Sequence, residues 1–452
     1  MTTTVKDRLT GALYSIRCKY LIGADGGRSK VAEKIGLPLK GQMGLSGSMN
    51  ILFDADLAKY VSHRPSVLYW ILQPGANIGG IGAGVLRMVK PWCQWLAIWG
   101  YDISLGEMTL ADEKAEEIVR GLIGDNNVPL SIRSTSTWTV NNLYAAQYSI
   151  ARVFCVGDAV HRHPPSNGLG SNTSIQDAYN LAWKLKLVLE GSAHESLLET
   201  YSDERQPIGE QIVARANKSI EDYPPIFEQL GLLASGDTKD VNAAIQDRKS
   251  VTPEAKLRRR KLNEAFQKKN YEFNTHGVEL NQRYRSGAVV SDGSPEPEYA
   301  KDPELYYHAT TWPGAHLPHV WVEHEKSCKS TLDLCGRGVF TLLTGIGGEV
   351  WREAVLGVER RFGISVRVVS IGPSGCDALD IYADWYWQSE VEEEGCVLVR
   401  PDCHVGWRAR TVTPDAGARL VEAFANILGW NGRRAEGASD RAIAGAFQFN
   451  KS

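Results

Sequence analysis

The residues able to do chemistry gather in one run, Arg152 to Leu181, which reads R-V-F-C-V-G-D-A-V-H-R-H-P-P-S-N-G-L-G-S-N-T-S-I-Q-D-A-Y-N-L. Val153 to Val156 is a short apolar, β-prone stretch of the kind that forms a buried strand. Gly157 and Asp158 end it, so the Asp158 carboxylate stands at the carboxyl end of that strand, where it can accept hydrogen bonds from ligand hydroxyls. Pro164, Pro165, Gly168 and Gly170 then keep the chain irregular. A helix is expected next, with Ile175, Ala178, Leu181, Ala182, Leu185 and Val188 as its apolar stripe and Gly191 as its stop. A glycine-rich loop entering a helix presents free backbone N–H groups and the positive end of the helix dipole. These suit an anion or an electron-rich carbonyl. His161 and His163 are candidate bases, although satisfying the loop's own backbone is the simpler task for both. No third ligand lies at a spacing that would make them a metal site.

A second cluster lies near the start. A β-hairpin is expected over residues 4–23, Thr4 to Arg8 and Leu13 to Ile22 around a Thr10-Gly11 turn. It ends in L-I-G-A-D-G-G-R-S-K-V-A, which enters a helix reaching about Ile35. Asp25, Gly26 and Arg28 thereby sit on a strand-to-helix turn, where backbone amides and a cation can meet a phosphate.

In this order, D-G-x-R-S and G-D-A-x-H-x-x-x-P-x-x-G-x-G-x-N-x-x-x-x-D-A resemble the Asp-Gly and Gly-Asp fingerprints of the FAD-dependent aromatic hydroxylases. These share the para-hydroxybenzoate hydroxylase fold, and the likeness is greatest to the phenol and chlorophenol 2-monooxygenase branch. The resemblance implies an FAD-dependent enzyme that uses NAD(P)H and O2 to hydroxylate a small phenol-like aromatic substrate through a C4a-hydroperoxyflavin. It places Asp25, Gly26 and Arg28 near the dinucleotide, and Gly157 and Asp158 at the flavin's ribityl chain. Gly168, Leu169, Gly170, Ser171 and Asn172 fall at the pyrimidine edge, where charge develops on reduction, and the Pro164-Pro165 loop borders the reacting face. It names no catalytic side chain and no metal. Family members open with a βαβ unit carrying G-x-G-x-x-G. No such element is found here, so the chain is expected to lack it. Two other readings stay open. One is a partner or remnant protein without tight FAD binding. The other is the same fold performing Baeyer–Villiger or oxidative decarboxylation chemistry in secondary metabolism.

The elements that must position these residues follow from the rest of the 452-residue chain. Its length suits several domains. A mixed α/β and α+β architecture is expected. Residues 1–42 carry the Asp-Gly motif and residues 43–140 form an inserted β-rich substrate domain. Residues 141–300 return to the flavin domain with the Gly-Asp motif and a helical extension. By resemblance, residues 301–452 form a thioredoxin-like domain, structural in role and suited to dimer contacts. Short β-like runs are expected at Met49 to Phe53, Ser66 to Leu72, Gly79 to Val89 and Trp95 to Trp99, a helix over 109–124, and a returning strand at Ser131 to Val140. The aromatic residues Tyr69, Trp70, Trp92, Trp95, Trp99 and Tyr101 are read as core. Pro207 is expected to break or kink the helix over 197–218. Lys256, Arg258, Arg259, Arg260 and Lys261 read as a solvated helix face.

The formal net charge of −3 gives no electrostatic case for nucleic acid or an acidic membrane. No run is apolar enough to cross a membrane, and no signal-peptide core opens the chain. Eight scattered cysteines, with no Cys-x-x-Cys pair, suit reduced thiols in the cytoplasm and argue against a redox role for the C-terminal domain.

Overall fold

The computed structural model describes residues 1–72, 84–106, 108–232 and 238–431. The chain opens with an antiparallel hairpin, β1 (Thr2–Lys6) and β2 (Leu13–Arg17). The expected second strand does not run through to Ile22. It stops at Arg17, and β3 (Leu21–Gly23) turns inward to pair in parallel with β10 (Val153–Cys155). The division follows burial: β2 is exposed throughout, whereas β10 is buried at all three positions. Helix α1 (Lys30–Lys34) follows β3.

A six-stranded antiparallel sheet comes next, in the order β11-β8-β4-β7-β6-β5. Its strands are β4 (Leu39–Asp54), β5 (Leu68–Trp70), β6 (Val85–Lys90), β7 (Gln94–Tyr101), β8 (Ser131–Ala145) and β11 (His161–Arg162). The expected strand at Gly79 to Val89 lies outside the described residues over 79–83. Strand β4 begins ten residues before Met49, and β8 runs past Val140. Gly41, Gly44 and Gly47 read as breakers in sequence, yet β4 continues through them with a register shift between Gln42 and Ser46. At Gly41 (φ +108°) a Cβ would stand 2.0 Å from the Asn142 carbonyl oxygen, so glycine permits the close strand approach there.

Helix α2 (Ala58–Val61) is a single turn, and α3 (Asp112–Ile123) covers one face of the sheet. Met49, Ile51, Phe53, Trp95 and Ala97 pack there against Ala115, Val119 and Leu122. Trp95 and Tyr101 are core as expected, while Trp92 sits at a turn with φ +56° and is 37% exposed. The strand registers put Ser48, Asn50, Leu52, Ser134, Ser136 and Trp138 together on the opposite face.

Strand β9 (Ser149–Ile150) pairs with β10, and a 3-10 turn over Gly157–Ala159 leads to β11. Helix α4 (Gly170–Glu190) starts five residues before Ile175 and ends on Gly191 in the left-handed conformation. Its buried stripe differs from the expected one. Ile175, Ala178 and Ala182 are exposed, while Thr173, Asp177, Asn180 and Lys184 are buried with Leu181 and Leu185. Helix α5 (Thr200–Glu221) continues as one element through Pro207.

The extension holds α6 (Pro224–Leu230), α7 (Thr238–Asp247), α8 (Pro253–Lys268), α9 (Asn270–Phe273) and α10 (His276–Leu280). The basic cluster lies on α8, where Arg258 pairs with Asp247 and Arg259 donates to the Arg248 and Ser250 carbonyls.

The C-terminal sheet has the order β13-β12-β16-β15-β14-β17-β18. Its strands are β12 (Trp321–His324), β13 (Ser327–Ser330), β14 (Phe340–Thr344), β15 (Val366–Gly372), β16 (Ala378–Leu379), β17 (Cys396–Val399) and β18 (Val405–Ala409). The helices are α11 (Thr331–Leu334), α12 (Glu349–Phe362), α13 (Asp384–Gln388) and α14 (Ala416–Ile427). Strands β15 and β14 are parallel, and β17 is antiparallel to both β14 and β18. Helices α12 and α14 pack together over this part of the sheet through Trp351, Val355, Val358, Leu420 and Phe424. That four-strand order with its helices is the thioredoxin-like arrangement. All eight cysteines are unpaired.

Candidate functional site

Strand β10 is the anchor of the site. Its three residues are wholly apolar and buried between β3 and β9, so the chain must leave the sheet where the turn residues begin. Gly157 turns with φ +64°, and a Cβ there would lie 2.9 Å from Ser174 Oγ. Asp158 follows with its side chain exposed, and no group among the described residues donates to its carboxylate. The Pro164-Pro165 pair and a 3-10 turn over Ser166–Gly168 carry the chain to α4, with Pro164 buried and Pro165 exposed. Gly168 takes φ +67°, and a Cβ there would meet nothing within 4 Å.

Leu169 buries its side chain, while Gly170, Ser171 and Asn172 form the first turn of α4. The backbone N–H groups of Leu169, Gly170, Ser171 and Asn172 donate to no acceptor among the described residues, whereas Thr173 N–H already closes the first helical bond to Leu169 O. This is the set of orphan donors that a helix start leaves. Gly168, Ser171 and Asn172 are exposed around it.

The Asp-Gly turn lies alongside, because β3 pairs in register with β10 (Gly23 opposite Cys155). Asp25 is used locally. Its carboxylate accepts from Ser29 Oγ, from Lys30 N–H at 2.7 Å and from Val31 N–H at 3.1 Å, so it caps α1. Partial burial disfavours its charge, but the bonds from Ser29, Val31 and Lys30 outweigh that and lower its pKa. Arg28 is exposed, and its guanidinium meets no acceptor among the described residues.

Arg162, not singled out in the sequence, joins the two motifs. Its Nε donates to Asp158 O at 3.0 Å and its Nη1 approaches Met43 Sδ at 3.4 Å. A Cβ on Gly27 would lie 3.8 Å from Arg162 Cδ. Half-burial lowers its pKa, while the Asp158 and Asp25 carboxylates oppose that change. Only its position in space, between the two turns, distinguishes it from other arginines.

The histidines do local work. His163 Nδ1 donates to Pro164 O at 2.7 Å, and burial lowers the pKa of its ring. His161 is fully buried, with Nε2 3.0 Å from Asp177 Oδ2. On the open face of the six-stranded sheet, Trp138 Nε1 donates to Asn50 Oδ1 at 3.1 Å, giving that face a fixed aromatic and amide pair that was also missed. Among the described residues, no group of three His, Cys, Asp or Glu side chains could hold a metal ion. A cavity of about 190 Å³ opens in the C-terminal domain beside Leu343, Ile371, Asp380 and Trp385, but none of the motif residues lines it.

The donor set fits the ribityl and pyrimidine half of FAD. A free carboxylate suits polyol hydroxyls, a row of four free N–H groups suits the N1 and C2 carbonyl edge, and the guanidiniums of Arg28 and Arg162 suit phosphate.

Comparison with known proteins agrees. Residues 1–216 match the family description "FAD binding domain" and residues 310–430 match "Aromatic-ring hydroxylase, C-terminal". The chain is 53% identical over 436 residues to a 2,4-dichlorophenol 6-monooxygenase of Cupriavidus pinatubonensis, covering 96% of this chain and 73% of that one. It is 45% identical to a phenol 2-monooxygenase of Pseudomonas sp., covering 94% and 68%. The crystal structure of the flavin-dependent monooxygenase PieE in complex with FAD and substrate superposes with a TM-score of 0.88 at 44% identity, covering 95% of this chain and 73% of that chain. By fold, motifs and relatives, the chain belongs to the FAD-dependent aromatic-ring hydroxylases.

Proposed function

We propose that this family member hydroxylates a phenol-like aromatic compound with O2, using FAD held at the Gly-Asp turn and reduced by NAD(P)H. The observation that carries this reading is the pairing of an unpartnered Asp158 carboxylate with four unpartnered N–H groups at the start of α4. FAD supplies the redox chemistry when bound, accepting hydride equivalents and activating oxygen. The chain's own groups bind and orient. Asp158 accepts from the ribityl hydroxyls, and the 169–172 amides donate to the edge where negative charge accumulates on reduction. Arg28 and Arg162 offset phosphate charge. Asp25 shapes its turn rather than touching the ligand. The Pro165 loop and the sheet face of Asn50 and Trp138 enclose the aromatic ring and limit water.

The branch to which the chlorophenol and phenol relatives belong supports a phenol as substrate. Eight unpaired cysteines support a cytoplasmic setting. A homodimer through the C-terminal domain belongs to the same proposal, supported by exposed Tyr382 (70%), Tyr386 (56%) and Trp387 (74%). Oxidation of NADH and NADPH by the flavin-loaded protein, with a panel of phenols against polyketide-like ketones, tests the reading. Phenol-stimulated oxidation yielding a catechol is expected. Turnover only with the ketones would overturn it.

A further inference from the structure

We infer that Asp177 is a positioning residue for the flavin loop, acting from beneath it through Gly157 and Arg205; this rests on the functional reading above. Asp177 is wholly buried on α4. Its Oδ2 accepts the Gly157 N–H at 3.1 Å and stands 3.0 Å from His161 Nε2, which places the imidazole proton on Nε2. Its Oδ1 accepts from Arg205 Nε at 2.8 Å. Arg205, on α5 and equally buried, extends from there to Thr173 O at 3.4 Å and Gln176 Oε1 at 3.3 Å, both on α4. Its Nη1 is held by Gln282 Oε1 and Tyr284 OH, each at 3.0 Å.

One carboxylate therefore ties together three backbone segments. Gly157 immediately precedes Asp158, His161 begins β11, and Thr173 follows directly on the amides of Leu169 to Asn172. Two of these neighbours, Asp158 and the amide row, are the groups left without partners. Both must meet one rigid ligand, so their spacing has to be set before the ligand arrives. A loop that ordered itself only on binding would lose that entropy from its affinity. Apolar packing would hold the same segments together without fixing their angles. A carboxylate receiving directional N–H bonds fixes both. Asp177 also lies in the Asp-Ala pair that ends the Gly-Asp motif, where the sequence assigned it no task.

Hydrogen exchange resolved to single amides tests this first on the wild-type chain without FAD. Gly157 is expected to exchange at least ~100-fold more slowly than Leu169 to Asn172, because its bond to Asp177 is already made. Equal rates would overturn the inference. Asp177→Asn is then expected to speed Gly157 exchange by ~10-fold or more and to raise the FAD dissociation constant by about 10-fold. His161→Gln, which keeps an N–H donor and the whole Asp177–Arg205 pair, is expected to stay within about 3-fold of wild type on both readings. A lower melting temperature in Asp177→Asn with Gly157 exchange and FAD affinity unchanged would show a purely structural group and overturn the inference. If Asp177→Asn does not fold, the wild-type exchange comparison and His161→Gln still decide the question. A wild-type chain that failed to bind FAD would sink the functional reading instead, and the exchange result would show that separately.

Discussion

Helix α4 ends in two different electrostatic settings. At its start, four N–H groups and the nearby Asp158 carboxylate have no hydrogen-bond partners among the described residues. Farther along, Asn180, Trp183 and Lys184 enter a sealed network with Glu204 of α5 and Arg400 and Asp402 of the C-terminal domain. Arg400 donates to Glu204 through both terminal nitrogens, at 2.6 and 2.8 Å, and to Asp402 at 2.6 Å. Lys184 Nζ reaches Glu204 at 2.7 Å. Every charged side chain in this network is buried, and each has a counter-charge. Charges that are paired and sealed join domains and fix their register. Groups left unpaired at an open helix start are kept for a ligand. The sealed network is therefore expected to govern stability and the open helix start to govern cofactor affinity, with little exchange between the two.

The largest effect should follow from opening the sealed network. Glu204→Gln leaves Lys184 without its counter-charge and Arg400 with only one. A loss of about 3–5 kcal/mol in urea unfolding is expected, with the flavin affinity of the folded fraction little changed. A loss below ~1 kcal/mol would show that the network contributes little to stability.

The same region sets the acid response. Burial disfavours the Glu204 charge, but Arg400 and Lys184 outweigh that and hold its pKa well below the usual carboxylate range. Asp402 is lowered in the same way, burial being outweighed by Arg400. With folded pKa values below unfolded ones of about 4, the unfolded chain binds more protons in acid. Stability is then fully present above about pH 5 and lost as pH falls toward the depressed values. Urea midpoints measured across that range should fall steeply, and less steeply in Glu204→Gln.

Asp158→Ala probes the open region. It should raise the FAD dissociation constant about 10-fold or more while shifting stability by less than ~0.5 kcal/mol, since the side chain is exposed. A reversed pattern, with stability lost and affinity kept, would break the contrast. Gly168→Ala sharpens it. The site has room for a Cβ, so only the positive φ is strained, at about 1 kcal/mol. Arg162→Gln should be the smallest, raising the dissociation constant about 3-fold by loosening the two turns.

These contrasts explain what could be read from the chain alone. The strand, the Gly-Asp turn and the glycine loop were legible because glycine, proline and aspartate at such spacings are costly elsewhere. The buried face of α4 was not legible. Asp177, Asn180 and Lys184 look like solvent-facing residues, and their partners Arg205, Asp402 and Glu204 lie 20 to 222 positions away. A search for apolar spacing therefore chose Ile175 and Ala178, which are exposed. Arg162 and the Asn50–Trp138 pair were missed for the same reason, since strand register brings them into place. The long glycine-bearing half of β4 was missed because its breakers are spacers between strands.

The central claim, that the open end of α4 is a flavin site, is tested most directly by the absorbance of the purified chain between 350 and 500 nm after incubation with FAD and desalting. The account predicts flavin bands that survive desalting and are lost in Asp158→Ala. A colourless wild-type protein, or bands that persist unchanged in the variant, would contradict it.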